Sequence, residues 1–296
     1  MKDYLLKIMA KEAGVRAFAV ITTETANDAK IRHDTSPTAT YVLAKALTAS
    51  ALMGALLKVQ QRIALKFEGN GPLGKTITES DSYGHVRGYV GSPEADLPLL
   101  ADGSIDIVHA IGQAGLLTVV RDLKLKQLYE GVVHLEVSNI DDDLTFYMNQ
   151  SEQIPTHIET AVLLDDEGNV QFAGGLLIQE LPSQDGSNAV QQVQEKLQEL
   201  PPLLQLLKDG KTPNDLLALA FADIEFEELE ERPVMFKCSC SRERTEQALI
   251  SLGADELRNL IETSGEAEIS CHFCHEAYYF DKDELTWLLE ELEDEL

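Results

Sequence analysis

Positive charge is scarce in this sequence. Lysine and arginine total 24 against 51 aspartates and glutamates, leaving a net charge of -27 over 296 residues. Such a chain repels phosphate backbones and anionic lipid surfaces, so neither nucleic acid nor membrane is an expected partner. The charge has a plain use as solubility, and a sharper one in keeping a protein soluble while apolar surface is exposed. Long apolar runs are also missing. The alanine-rich stretch 41–57 contains Lys45, is too short and too weakly apolar to span a bilayer, and reads as a buried helix. In the opening MKDYLLKIMA, Asp3 and Lys7 break any apolar run, so no secretory signal is expected and a cytoplasmic location follows by default. Cysteine is rare, with four in all, each beyond Lys237. In a reducing compartment such a cluster points to metal or redox chemistry before structural disulfides. No internal repeat is evident.

What is present suits a globular protein: 44% of residues are apolar, and the length suggests two domains with a connecting segment. Residues 16–22 are strand-like, and residues 37–58 are expected as a helix, with Ser36 as cap and Pro37 in first position. Ile63, Leu65 and Phe67 alternate as in a half-buried strand. Further strands are expected at 75–79 and 85–90, and hairpins at 116–123 with 128–138 and at 157–164 with 169–179. Residues 139–149 suit a helix with three aspartates complementing its dipole. The fold class expected is α+β, with an N-terminal mixed strand and helix domain over residues 1–182.

Composition shifts after Leu181. PSQDGSN, residues 182–188, reads as a flexible connection. Residues 189–207 carry apolar side chains at helical spacing, interrupted by Pro201-Pro202, and Thr212-Pro213 opens another helix running through Phe221. An acidic run follows at 225–231. Residues 183–232 are therefore expected as a helical linker that needs a surface to pack on. Residues 233–296 form a small C-terminal zinc-binding domain holding every cysteine, with helices expected at 241–252, 255–262 and 281–296 and strands at 268–270 and 277–280.

The cysteine pattern is Cys238-Ser-Cys240, thirty intervening residues, then Cys271-His-Phe-Cys274. Two short-spaced pairs on separate loops can present four thiolates to one tetrahedral Zn²⁺. His272 and His275 lie close, but four cysteines suffice without them. The absence of an evident open position argues against zinc hydrolysis, and no enzyme is expected. The bland reading is a static zinc module. Against it stand the lack of a basic patch and the reactivity of zinc-bound thiolates toward oxidants; two adjacent pairs could each form a disulfide and release the metal.

With these cysteines in view, the chain resembles the Hsp33 family of redox-regulated 33 kDa chaperonins. The likeness is densest over residues 238–280 and recurs in GHVRGYV (84–90), YMNQSEQIPT (147–156) and GGLLIQ (174–179). The resemblance implies an ATP-independent holdase. Reduced, Cys238, Cys240, Cys271 and Cys274 would hold one Zn²⁺ per chain and the protein would be a quiet monomer. Oxidised, Cys238 would pair with Cys240 and Cys271 with Cys274, with loss of zinc. The zinc domain and the linker, whose stability is coupled to it, would then lose structure. The protein would dimerise and hold unfolding client proteins. Two other readings stay open: a thiol–disulfide oxidoreductase using the Cys271–Cys274 motif, and a static zinc-stabilised adaptor.

Other motifs are weaker. Gly69-Asn70-Gly71-Pro72 resembles a dinucleotide loop, but Pro72 and the following strand favour a turn. Ser151 with His157 lacks a nucleophile elbow. Arg87, between glycines, suits packing or an ion pair. His33, His85, His109 and His134 have no metal-ligand spacing.

Overall fold

The structure is a computed structural model that describes residues 2–181 and 189–294. The connection expected at 182–188 lies outside the described residues. Two compact units divide the chain, Met1–Lys237 and Cys238–Leu296.

The first unit is built around helix α2 (Pro37–Gly54). Ser36 opens it as expected, its side-chain oxygen accepting the Ala39 N–H at 3.2 Å, and Pro37 fills the first turn. Nearly every residue of α2 is buried, which is why its sequence is alanine, leucine and threonine without a polar face. It stops at Gly54, short of residue 58. Glycine is a weak helix former, and here it allows close approach to the next layer: a Cβ would meet Ser80 Oγ at 2.1 Å.

A sheet packs on each side of α2. One is five-stranded and antiparallel, ordered β10 (Glu227–Pro233), β1 (Tyr4–Ala10), β2 (Val15–Ile21), β9 (Val170–Glu180), β8 (Thr156–Leu164). The other is six-stranded, ordered β11 (Met235–Phe236), β5 (His85–Val90), β4 (Lys75–Asp81), β3 (Arg62–Gly69), β6 (Gly115–Asp122), β7 (Tyr129–His134). Only its β11–β5 pair is parallel. Strand β3 alternates as its sequence foretells, with Ile63, Leu65 and Phe67 buried. Helices α1 (Thr23–His33), α3 (Ile107–Ile111) and α4 (Ile140–Gln150) complete this layer. Lys45 of α2 is buried and donates to Asp141 of α4 at 2.8 Å and to the Thr160 carbonyl of β8 at 2.8 Å.

The far face of the five-stranded sheet carries α5 (Ala189–Glu199), α6 (Leu203–Lys208) and α7 (Pro213–Ala220). Prolines 201 and 202 separate α5 from α6, and Thr212 with Asp215 forms a reciprocal capping box on α7. Val193, Leu206, Leu207, Leu216 and Leu217 pack against Leu6, Ile8, Ala17, Ala19 and Ile178 of the sheet. The leucine-rich middle segment thus has the docking surface it requires.

The acidic run is not helical. It forms the edge strand β10, paired with β1. Both faces of this strand meet water, so the alternation that signals a strand is lost, and its glutamates suit an edge that resists further pairing. After Pro233 the chain crosses to the second sheet: the Val234 N–H donates to the Asp3 carbonyl, and Met235 and Lys237 donate to Gly84 and Val86. The compact first unit accordingly runs on through Lys237.

The upstream motifs have structural tasks. Glu79 accepts from Arg87 at 2.8 Å, and Gly88 lets β5 approach Thr78 and Leu47. Glu152 accepts from Arg121 at 2.9 Å and from Tyr147 at 2.6 Å. Gln179 joins Arg16 to Thr156. The stretch 69–74 is the turn between β3 and β4, with Gly71 against the backbone of Ala110.

The second unit contains α8 (Arg242–Ile250), α9 (Ala254–Thr263), the hairpin β12 (Ala267–Ser270) with β13 (Ala277–Phe280), and α10 (Lys282–Asp294). Its core is small: Leu249, Leu257, Phe280, Leu285 and Leu288 are buried together.

Candidate metal centre

Two loops of the second unit carry the cysteines. The first, with Cys238 and Cys240, precedes α8. Ser241 caps that helix, and Arg244 reaches back from its first turn to donate to Ser239 at 2.9 Å, fixing the loop between the two cysteines. The second is the turn of the β12–β13 hairpin. Cys271 N–H donates to the Glu276 carbonyl at 2.9 Å, and His275 N–H donates to the Cys271 carbonyl at 2.8 Å. His275 takes a left-handed conformation, φ 56°, which tightens this turn and brings Cys271 and Cys274 to one side of it.

The four sulfurs converge. All lie within 4.8 Å of one another, and no other such group of three or more metal-binding side chains occurs among the described residues. The closest approaches join the two loops: Cys238 to Cys271 at 3.6 Å and Cys240 to Cys274 at 3.3 Å. A tetrahedral zinc–thiolate site, with bonds of about 2.3 Å, needs sulfur–sulfur edges of about 3.8 Å. The cage therefore fits one such ion with small adjustments. All four are free thiols, with Cys274 buried and the others half-buried. Burial pushes the Cys271 and Cys274 thiols above their ordinary value. A bound dication reverses that balance, because coordination requires the thiolate.

The sequence names all four cysteines, and the fold brings all four together. His272 and His275 lie on the same turn, exposed, and are not members of the group. Of the isolated histidines, His85 bonds Asp81 at 2.9 Å and His109 bonds Asp106 at 2.7 Å. Sequence reasoning overlooks Tyr278. This residue of β13 donates its hydroxyl to Cys240 Sγ at 3.3 Å, and that bond raises the phenol's pKa. The only signal for it is an aromatic residue just past the second cysteine pair. Arg242 is a further brace: it lies 4.3 Å from the Phe280 ring centroid and bonds Glu284 at 2.6 Å.

A family model described as Hsp33 protein matches residues 3–281. The chain belongs to the Hsp33 family. The Hsp33 match runs through both compact units and takes in the whole cysteine cage. A 33 kDa chaperonin of Geobacter sulfurreducens is 48% identical over 290 residues, covering 98% of this chain and 96% of that one. A 33 kDa chaperonin of Geobacillus kaustophilus is 42% identical, covering 97% and 98%. The crystal structure of the 33 kDa chaperonin, a heat shock protein 33 homolog, from Thermotoga maritima superposes with a TM-score of 0.88 at 34% identity over 99% of each chain. The α+β architecture expected from the sequence is that of an Hsp33 structure.

Proposed function

We propose that this chain is a redox-switched, ATP-independent chaperone of the cytoplasm, and not an enzyme. In the reduced state Cys238, Cys240, Cys271 and Cys274 hold one Zn²⁺. On oxidation, Cys238 pairs with Cys240 and Cys271 with Cys274. Each pair gives two electrons to an oxidant such as hydrogen peroxide, forming one S–S bond while the peroxide takes up two protons and leaves as two waters. The metal is released, the second unit and the α5–α7 segment loosen, and the opened protein dimerises and holds unfolding clients. Its acidity keeps these assemblies soluble.

The observation that carries this reading is the thiol cage in a unit with five residues in its buried core. Structural zinc contributes about 10–16 kcal/mol of apparent binding energy in small modules. A core of this size supplies far less, so losing the ion can tip the unit from folded to unfolded. The family resemblance implies the neighbour pairing. Disulfides within each loop untie the loops from one another, whereas bonds along the 3.3 Å and 3.6 Å approaches would keep them clamped. The apolar sheet face beneath α5–α7 is the surface that opening would uncover.

Light scattering from a heat-unfolded client tests the proposal. Peroxide-treated, zinc-free protein should suppress aggregation and reduced, zinc-loaded protein should not. Equal suppression in both states favours the static adaptor. Turnover of insulin disulfides favours the oxidoreductase, although Cys271 and Cys274 sit in a β-hairpin turn and not at the strand–helix junction of a thioredoxin-like motif.

A further inference from the structure

The first unit has a groove of about 720 Å³ between the N-terminal end of α2, the loop 96–105 and the β8–β9 turn. Its walls are apolar: Tyr41, Leu97, Ile105, Val162, Leu164 and, from α6, Leu204. Leu99 stands at its mouth, 62% exposed. Four carboxylates, Asp96, Asp102, Asp165 and Asp166, also line it, and no lysine, arginine or histidine does. Local bonds favour the charged form of two of them. Ser104 holds the Asp102 carboxyl below its usual value through its hydroxyl and N–H, and the Asn169 N–H does the same for Asp165. Lys30, outside the lining, also favours the charged form of Asp165 through space and bonds Asn169 at 2.9 Å, so Asp96, Asp102 and Asp166 carry the groove's charge more than Asp165 does.

Apolar walls beside carboxylates that no cation in the lining neutralises select a particular occupant. A segment with aliphatic side chains flanked by lysine or arginine can bury its apolar parts while its charged ends reach the aspartates. A segment flanked by acids would be repelled. We propose that this groove binds cationic, apolar segments of unfolding client proteins. The inference deepens the chaperone reading and rests on it for the identity of the partner. Because Leu204 forms part of one wall, release of α6 would widen the groove.

Fluorescence anisotropy with full-length protein, reduced and oxidised, tests this. One probe is a short fluorescein-labelled peptide of leucines flanked by lysines; the other carries glutamates in place of the lysines. The lysine peptide should bind, more tightly after oxidation, and the glutamate peptide should not. Asp102→Asn with Asp166→Asn should weaken the lysine peptide on the order of tenfold. Glu228→Gln with Glu231→Gln, on the distant edge strand, should leave affinity unchanged. Equal binding of both peptides, an unaltered Asp102/Asp166 variant, or an equal loss in the Glu228/Glu231 variant would overturn the groove assignment. The light-scattering comparison judges the redox switch separately, so a wild type that switches but shows no charge selection sinks only this inference.

Discussion

Asp3 shows how much one side chain can hold. Its carboxylate accepts from Glu24 N–H, Thr25 N–H and the Thr25 hydroxyl, and so caps α1, whose own Thr22 makes no side-chain cap bond. Burial outweighs these donors and raises its pKa from 3.8 to about 6. The folded state therefore keeps this proton where the unfolded chain has lost it. Its stabilising effect is complete below 3.8 and fades as pH climbs through 6, a change on the order of 2–3 kcal/mol. An NMR titration should find the Asp3 carboxyl midpoint near 6; a midpoint below the ordinary carboxylate value would contradict it. Lys45 is a second such residue. Lys45→Ala strands Asp141 in the core and should cost about 3–5 kcal/mol in chemical denaturation, with much of the loss recovered by Lys45→Met combined with Asp141→Leu. At the cage, Cys271→Ser should drop zinc well below one ion per chain, measured with a chromophoric chelator. Full stoichiometry in that variant would refute its role as a ligand.

At the scale of elements, the α5–α7 segment buries its apolar side chains on the five-stranded sheet. Leu217 is buried in the cluster that joins α7 to β1 and β2. Leu217→Asp places an unpaired charge there, at a cost of several kcal/mol. The reduced, zinc-loaded variant should then bind a hydrophobic dye and lose amide protection in α7 without any thiol oxidation. Dye binding as low as in the wild type would show that the helices do not depend on this face. The sequence makes some elements legible because their signals are local. Ser36-Pro37 and Thr212-Pro213 announce helix starts within a turn of themselves, and Ile63, Leu65 and Phe67 need only one half-buried strand. Strand β10 is not legible, because Glu227 to Glu231 carry no alternation and are ordered by the open edge of β1. The α1 cap is equally hidden, since its carboxylate comes from Asp3, 21 and 22 positions away from the amides it serves. The cysteine spacing announces the cage, but Tyr278 enters it only once the hairpin has folded.

For the whole molecule, the two units differ greatly in core. The first has two sheets around a buried helix, while the described part of the second has one buried apolar cluster of five residues and the thiol cage. With zinc bound in the cage as proposed, removing the ion from reduced protein should therefore unfold the second unit and spare the sheets of the first. Chelation should collapse amide protection in α8–α10. Unchanged amide protection with the metal demonstrably gone would mean that the small core suffices.

The crossing of the chain from β10 to β11 has a kinetic consequence. The segment holding α5–α7 is anchored in the sheets at both ends, through β9 before it and through β10 and β11 after it. Helices lifted as proposed would remain a tethered loop rather than a loose tail, and their return would be a first-order search over a short distance. Recovery of the covered state after reduction should proceed with a half-time that does not vary with dilution, even where partner dissociation comes first and sets a separate, slower phase.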